Sequence, residues 1–157
     1  MSATTTVPIT DIGNKPQAFT GNKSQAHRFR LAFEMYIRQN AARYTDEGKK
    51  IGLFLSLMQG DIAGAWAELV MERIIADEDA LAQDPAHVST YACLKDVYAF
   101  FDERFQPVDA KGDAQTSLET IAQGDASVEQ YITQFELLAP RTKYDEEAQI
   151  YFFKKGL

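Results

Sequence analysis

The stretch from Thr45 to Ile75, TDEGKKIGLFLSLMQGDIAGAWAELVMERII, is the most apolar continuous part of the chain, and the remainder is expected to pack around it. Ile51, Phe54, Leu55 and Met58 recur at the i, i+3, i+4, i+7 spacing of one helix face, with Leu53 and Leu57 as a second stripe beside it. A helix apolar on two sides belongs at the centre of a fold. Gly60 suits the left-handed conformation that ends a helix, and Asp61 suits the cap of the next, so two helices joined by one tight turn are expected. In the second helix Ile62, Ala65, Trp66 and Leu69 are expected to share a face, and Gly64 with the nearby alanines leaves room for a neighbouring helix. Trp66, the only tryptophan, is expected to be a core anchor and not a binding-site residue.

Composition matters here mainly for what it excludes. A chain of 157 residues fits one domain or two small lobes. No apolar run approaches the ~20 residues that span a bilayer, so a membrane partner is not expected. The start, MSATTTVPITDIG, lacks the basic and apolar regions of a secretory signal, and Ser2 stands where myristoylation needs glycine; an intracellular, cytoplasmic protein is expected. Cys93 is the single cysteine and, with only His27 and His87 beside it, gives no metal-ligand spacing; it reads as a buried small residue, and no cofactor or metal is expected. The net charge of −7 argues against nucleic acid as the main partner. Its distribution is uneven: residues 1–58 hold 8 Lys+Arg against 4 Asp+Glu, residues 59–110 hold 3 against 11, and residues 111–157 hold 5 against 8. This reads either as solvated faces or as a polar molecule whose ends attract each other head to tail, through weak, salt-sensitive contacts.

In chain order, residues 1–18 read as a flexible arm leading to Phe19. From Ser24, taken as an N-cap, Phe29, Ala32, Phe33, Tyr36 and Ile37 mark an amphipathic helix, and Thr45 is expected to cap the central hairpin. Asp77, Glu78, Asp79 and Asp84, up to Pro85, read as a polar loop; a calcium loop is the alternative, without its ligand spacing or central glycine. After Ser89, Tyr91, Leu94, Tyr98, Phe101 and Phe105 form an aromatic helix face. Pro107 breaks that helix, and residues 107–113 read as a linker between a first lobe, 19–106, and a second, 114–157. In the second lobe Ala114, Leu118 and Ile121 begin a helix, Gln123-Gly124-Asp125 makes a turn, and Ser127 with Gln130 forms a capping box. Val128, Tyr131, Ile132, Phe135 and Leu138 then share a face, Pro140 ends it, and a last helix from about Tyr144 buries Ala148, Tyr151 and Phe152. No strand pattern stands out, so the expected class is all-α. The sequence holds no G-x-S-x-G, Gly-rich phosphate loop, H-E-x-x-H or D-[ST]-G, and no carboxylate pair is singled out by spacing, so an enzyme is not expected.

Several stretches together resemble the Gag capsid region of gypsy-type long-terminal-repeat retrotransposons, particularly those of fungal genomes. They are Pro16 with Phe19-Thr20-Gly21; Lys50-Ile51, Leu55-Ser56-Leu57-Met58, Gly60 and Ala65-Trp66; Phe100-Phe101 and Phe105; Leu118, Gln123-Gly124, Val128, Tyr131 and Phe135-Glu136-Leu137; and Phe152-Phe153-Lys154-Lys155-Gly156-Leu157. Gln123-Gly124, Tyr131 and Phe135 resemble the major homology region of retroviral capsids, with the gap from Gly124 to the first aromatic one residue shorter. The resemblance implies two helical lobes, the second a partial capsid C-terminal lobe, and self-assembly into a virus-like shell around element RNA. It also implies a basic tail or CCHC zinc knuckle, found in neither form within these residues, so RNA contact is expected through a separate or downstream basic region. The family's second lobe continues with more helices, which points to a truncated, domesticated or processed product. The alternative is a Gag-derived helical adaptor that binds peptides or partner proteins in a groove of the first lobe, as the distantly similar neuronal protein Arc is thought to do. Gln123, Gly124, Tyr131 and Phe135 are the candidate assembly residues, with Gly124 permitting the turn, Gln123 bonding backbone across it, and the two aromatics held against Leu118 and Phe152.

Overall fold

A computed structural model describes residues 10–106 and 109–157, and the fold is all-α. Its helices are α1 (Lys23–Gln39), α2 (Glu47–Ser56), α3 (Ala65–Gln83), α4 (Leu94–Phe105), α5 (Ala110–Thr120), α6 (Val128–Thr142) and α7 (Glu146–Gly156). Short polar side chains start most of them by accepting otherwise orphaned backbone N–H groups. Asn22 accepts from Ser24 N, Asp46 from Lys49 N, Asp109 from Gly112 N and Asp145 from Ala148 N, while Ser127 and Gln130 complete the reciprocal capping box. The caps expected at Ser24 and Thr45 therefore fall at Asn22 and Asp46, one or two residues earlier or later, where a side-chain oxygen reaches the first free N–H. The chain divides into two compact units, Met1–Gln106 and Pro107–Leu157.

In the first unit the central hairpin forms with a different turn. α2 stops at Ser56, and Met58 pairs with Phe19 in a parallel bridge, with Phe19 N donating to Leu57 O and Gln59 N donating to Phe19 O, both at 2.9 Å. Gly60 does adopt a left-handed φ of 80°. It opens a wide π-type turn, Gly60–Gly64, that runs directly into α3, so Asp61 lies inside the turn and caps nothing. This turn moves the buried face by one residue. Ala63, Trp66, Ala67 and Val70, an i, i+3, i+4, i+7 set, are buried, whereas Ile62 and Leu69 are 58% and 44% exposed. Ile62 instead covers Gly21, where φ is 110° and an added Cβ would lie 2.7 Å from the isoleucine methyl. Trp66 meets Phe101 and Phe105 edge to face at centroid distances of 5.7 and 5.6 Å, inside a cluster that also takes in Phe19, Phe29, Phe33 and Phe54.

Two expected loops are ordered instead. α3 continues to Gln83, so Asp77, Glu78 and Asp79 are helical, and Asp77 holds the connection to α4. Its carboxylate meets His87 Nε2 at 2.6 Å and accepts from Ser89 Oγ at 2.5 Å and Thr90 N at 3.1 Å. Those bonds, Ser89's foremost and His87's next, pull its pKa down to about 2. Of the arm expected over residues 1–18, residues 1–9 lie outside the described residues. The rest is tied to α1: Ile12 N donates to Asn40 Oδ1, Asn40 Nδ2 returns a bond to Ile12 O, and Asp11 pairs with Arg43 and accepts from Tyr36. Asn40, buried at the end of α1, has its amide satisfied by this segment.

The second unit holds α5, α6 and α7. Of the linker expected at 107–113, residues 107 and 108 lie outside the described residues, and residues 110–113 form the first turn of α5, capped by Asp109. α6 runs past Pro140 to Thr142 because proline already has a helical φ and forfeits only one bond near the helix end; Lys143, at φ 60°, terminates it. Its buried line is Tyr131, Phe135, Ala139 and Thr142, while Val128 and Ile132 are on the exposed side. In α7 Ala148, Phe152 and Phe153 are half-buried, and Tyr151, expected inside, is 61% exposed.

Candidate assembly site

Gln123, Gly124, Tyr131 and Phe135 fall in the second unit and close around the α5–α6 turn. Gly124 has φ 52°, which favours a residue without Cβ. Gln123 Nε2 donates to Ala126 O at 3.1 Å, and Ala126 N donates to Gln123 O at 2.9 Å, so side chain and backbone bridge the same turn. From there α6 carries Tyr131 inward. Its ring is fully buried, packs on Phe153 at 5.2 Å, and its hydroxyl donates to Phe153 O at 2.8 Å; burial raises the phenol pKa. Phe135 meets Phe153 edge to face at 5.2 Å. The partner expected at Phe152 is thus Phe153, while Phe152 stacks on Tyr144 at 5.6 Å. The exchange follows from which of the two adjacent α7 side chains faces α6.

One member of this node escaped the sequence reading. Gly156 O accepts from Gln123 N at 2.7 Å, so the end of α7 is pinned to the start of the turn. A Cβ at Gly156 would stand 2.3 Å from Tyr131 Oη and 2.4 Å from Ile121 O. A glycine at a helix end reads as a C-cap, and nothing in the sequence signals that a tyrosine hydroxyl occupies the space beside it. Behind the node, Thr142 is buried with its hydroxyl donating to Ala139 O, and Gln115 Nε2 donates to Thr142 O at 2.8 Å. These bonds hold the helices in one arrangement while Leu137, Ile150 and Tyr151 stay exposed.

Trp66 belongs to the first unit and is a core residue, 7% exposed. Two of that unit's grooves bear on binding. One, of about 740 Å³, lies along α1 and α4 and is lined by Arg30, Arg38, Lys50 and Lys95, the acids Glu34 and Glu47, and apolar Leu31 and Tyr44. Glu34 stays ionised below the usual carboxylate range: burial opposes this, but bonds from Tyr98 and Arg38 outweigh it. The other, of about 350 Å³, is apolar and set between α2 and α3, with Ile51, Gly52, Leu55, Met71, Ile75 and Tyr91 around it. Cys93 is half-buried at the start of α4 beside the first groove. Among the described residues no group of His, Cys, Asp or Glu could hold a metal ion, no buried side-chain polar atom lacks a partner, and no helix is long and apolar enough to cross a membrane.

Comparison with known proteins reaches the second unit. Residues 114–157 match the family model PEG10/RTL1, C-terminal capsid-like domain, while no curated protein and no solved structure matches the chain. The match supports a Gag-like capsid domain of retrotransposon origin and does not reach as far as a gypsy-type or fungal assignment. The residues around the α5–α6 turn, from Ala114 to Leu157, are therefore similar to a Gag-derived C-terminal capsid domain.

Proposed function

We propose that the chain is a structural Gag-type capsid protein of a gypsy-type long-terminal-repeat element, which self-associates into a virus-like shell around element RNA inside the cell. The observation that carries this reading is the capsid-domain match over residues 114–157, the part of the molecule that presents exposed Leu137, Ile150 and Tyr151 on a scaffold tied by Gln123, Tyr131 and Gly156. Large apolar side chains left exposed on a domain of this kind are suited to contact with further copies of the chain. With a net charge of −7, the chain is assigned no direct grip on RNA, which falls to a separate basic region. No catalytic role is assigned. Light scattering over a concentration series, followed by electron microscopy, tests the reading: growing particles support it, and a monodisperse monomer at every concentration overturns it.

The apolar α2–α3 groove favours a second reading, a domesticated adaptor that binds a peptide or partner protein in the first unit. Here a monomer that titrates with an apolar helical or extended peptide, and loses it on Gly52→Trp, is the expected result; Gly52 has no atom within 4 Å of an added Cβ, so a side chain there reaches the groove without disturbing the core.

A further inference from the structure

Two surfaces of the first unit are left unused once its core is built. The first is the distal half of α3. From Met71 to Gln83 no residue is fully buried, although Met71 and Ile75 are 43% and 60% exposed. Glu68, Glu72, Ile75 and Asp79 fall at steps of four, three and four along one exposed line, about 16 Å long at the rise of an α-helix. The second surface is the α1–α4 groove, where Arg30, Arg38, Lys50 and Lys95 outnumber Glu34 and Glu47; Arg38 pairs with Glu34, Lys50 with Glu47 and Arg30 with Asp102, which leaves a small cationic excess centred on Lys95. Arg38 is 74% exposed in its side chain and Lys95 is exposed, so both offer charge to solvent at the rim. An acidic line with an apolar centre and a groove with a small cationic excess are complementary, and they sit on one chain.

We propose that the acidic line of α3 in one copy docks in the α1–α4 groove of the next, making a head-to-tail contact. The inference rests on the self-association reading and names a surface for it. Since the two patches differ, the contact is heterologous: each copy uses its groove for one neighbour and its α3 line for another, so association continues into a ring or an open array instead of closing as a pair. Attraction between such exposed charges is screened by salt, so the contact weakens as ionic strength rises.

A charge swap tests it. Variant one carries Glu72→Lys and Asp79→Lys; variant two carries Arg38→Glu and Lys95→Glu, with Arg38→Gln and Lys95→Gln as a milder pair should circular dichroism show the reversal to misfold. Self-association is read by sedimentation velocity at low salt. Each variant alone should associate about ten-fold more weakly or worse than the parent, because like charges now face each other. An equimolar mixture of the two should recover association, since each acidic surface again meets a basic one. Recovery in the mixture is the result a merely destabilised fold would not give. Variants that associate as well as the parent, or a mixture that recovers nothing, overturn this contact alone. Parent chain that never associates overturns the self-association reading and the contact with it. If variant two instead loses binding to a short RNA while association is unchanged, the groove belongs to RNA and the contact is overturned.

Discussion

The two units are built on different principles. The first closes an aromatic cluster from Phe19 to Phe105 in which Phe33, Phe54, Val97 and Phe101 are essentially solvent-free. The second buries Leu118, Phe135 and Ala139 as its cluster, with Ile121, Leu138, Tyr144, Phe152 and Phe153 only partly covered. Burial of apolar area is the main driving force for folding, and a unit of about 50 residues buries the smaller share of its surface. The second unit compensates with directed bonds, from Tyr131 to Phe153, Gln123 to Gly156 and Gln115 to Thr142. Such bonds specify one arrangement but each contributes only about 1 kcal/mol. The first unit thus has the larger buried cluster, and the second leans more on directed bonds; under the self-association proposed above, a neighbouring copy would add burial to it.

Trp66→Ala should cost the first unit about 3 to 5 kcal/mol through the cavity it opens against Phe101 and Phe105. Thermal melts should show the loss, and an unchanged midpoint would remove the hairpin from the centre of the fold. Next comes Gly156→Ala, which must displace Tyr131 Oη or Ile121 O and should cost the second unit about 1 to 3 kcal/mol while the first unit's exchange protection stays as it was. Gly124→Ala, with open space around the added methyl but φ at 52°, should cost about 1 kcal/mol, and Gly124→Asn less, by the same melts. Tyr131→Phe should also cost about 1 kcal/mol, seen as faster exchange in α7, because Phe153 O loses its donor.

The smallest effect concerns pH and the first unit alone. The Asp77 carboxyl, held at about 2 against an ordinary 3.8, favours the folded state in its ionised form at every pH above the ordinary value. That contribution drains away as pH falls from about 4 towards 2. Residues 87–91 should therefore loosen in acid before α1 or α4 does, as followed by amide resonances, and Asp77→Asn should loosen them at neutral pH.

Much of the architecture was legible in the sequence. The helical class, the central hairpin, Trp66 as an anchor and the Ser127–Gln130 cap all follow from local patterns. What failed were features set by contact across the chain. The π-type turn at Gly60–Gly64 shifted a face by one residue, and Phe19, far away in sequence, decided where α2 stops. The acidic run at Asp77 looked like a loop because helix formers and charges do not reveal that one carboxylate will gather His87, Ser89 and Thr90. In the candidate site Gln123, Gly124, Tyr131 and Phe135 carried recognisable turn and face signals, whereas Gly156 matters only because Tyr131 lies beside it.

Hydrogen exchange followed over a dilution series tests the central claim most directly, comparing residues 23–105 with residues 110–157. The amides of the first unit's buried cluster should stay equally protected at every concentration, with gains there confined to the exposed line of α3 and the rim of the α1–α4 groove, while those of α6 and α7 should gain protection throughout as copies associate and cover Leu137, Ile150 and Tyr151. Strong, concentration-independent protection of α6 and α7 in a proven monomer would contradict it, because the second unit would then be complete by itself.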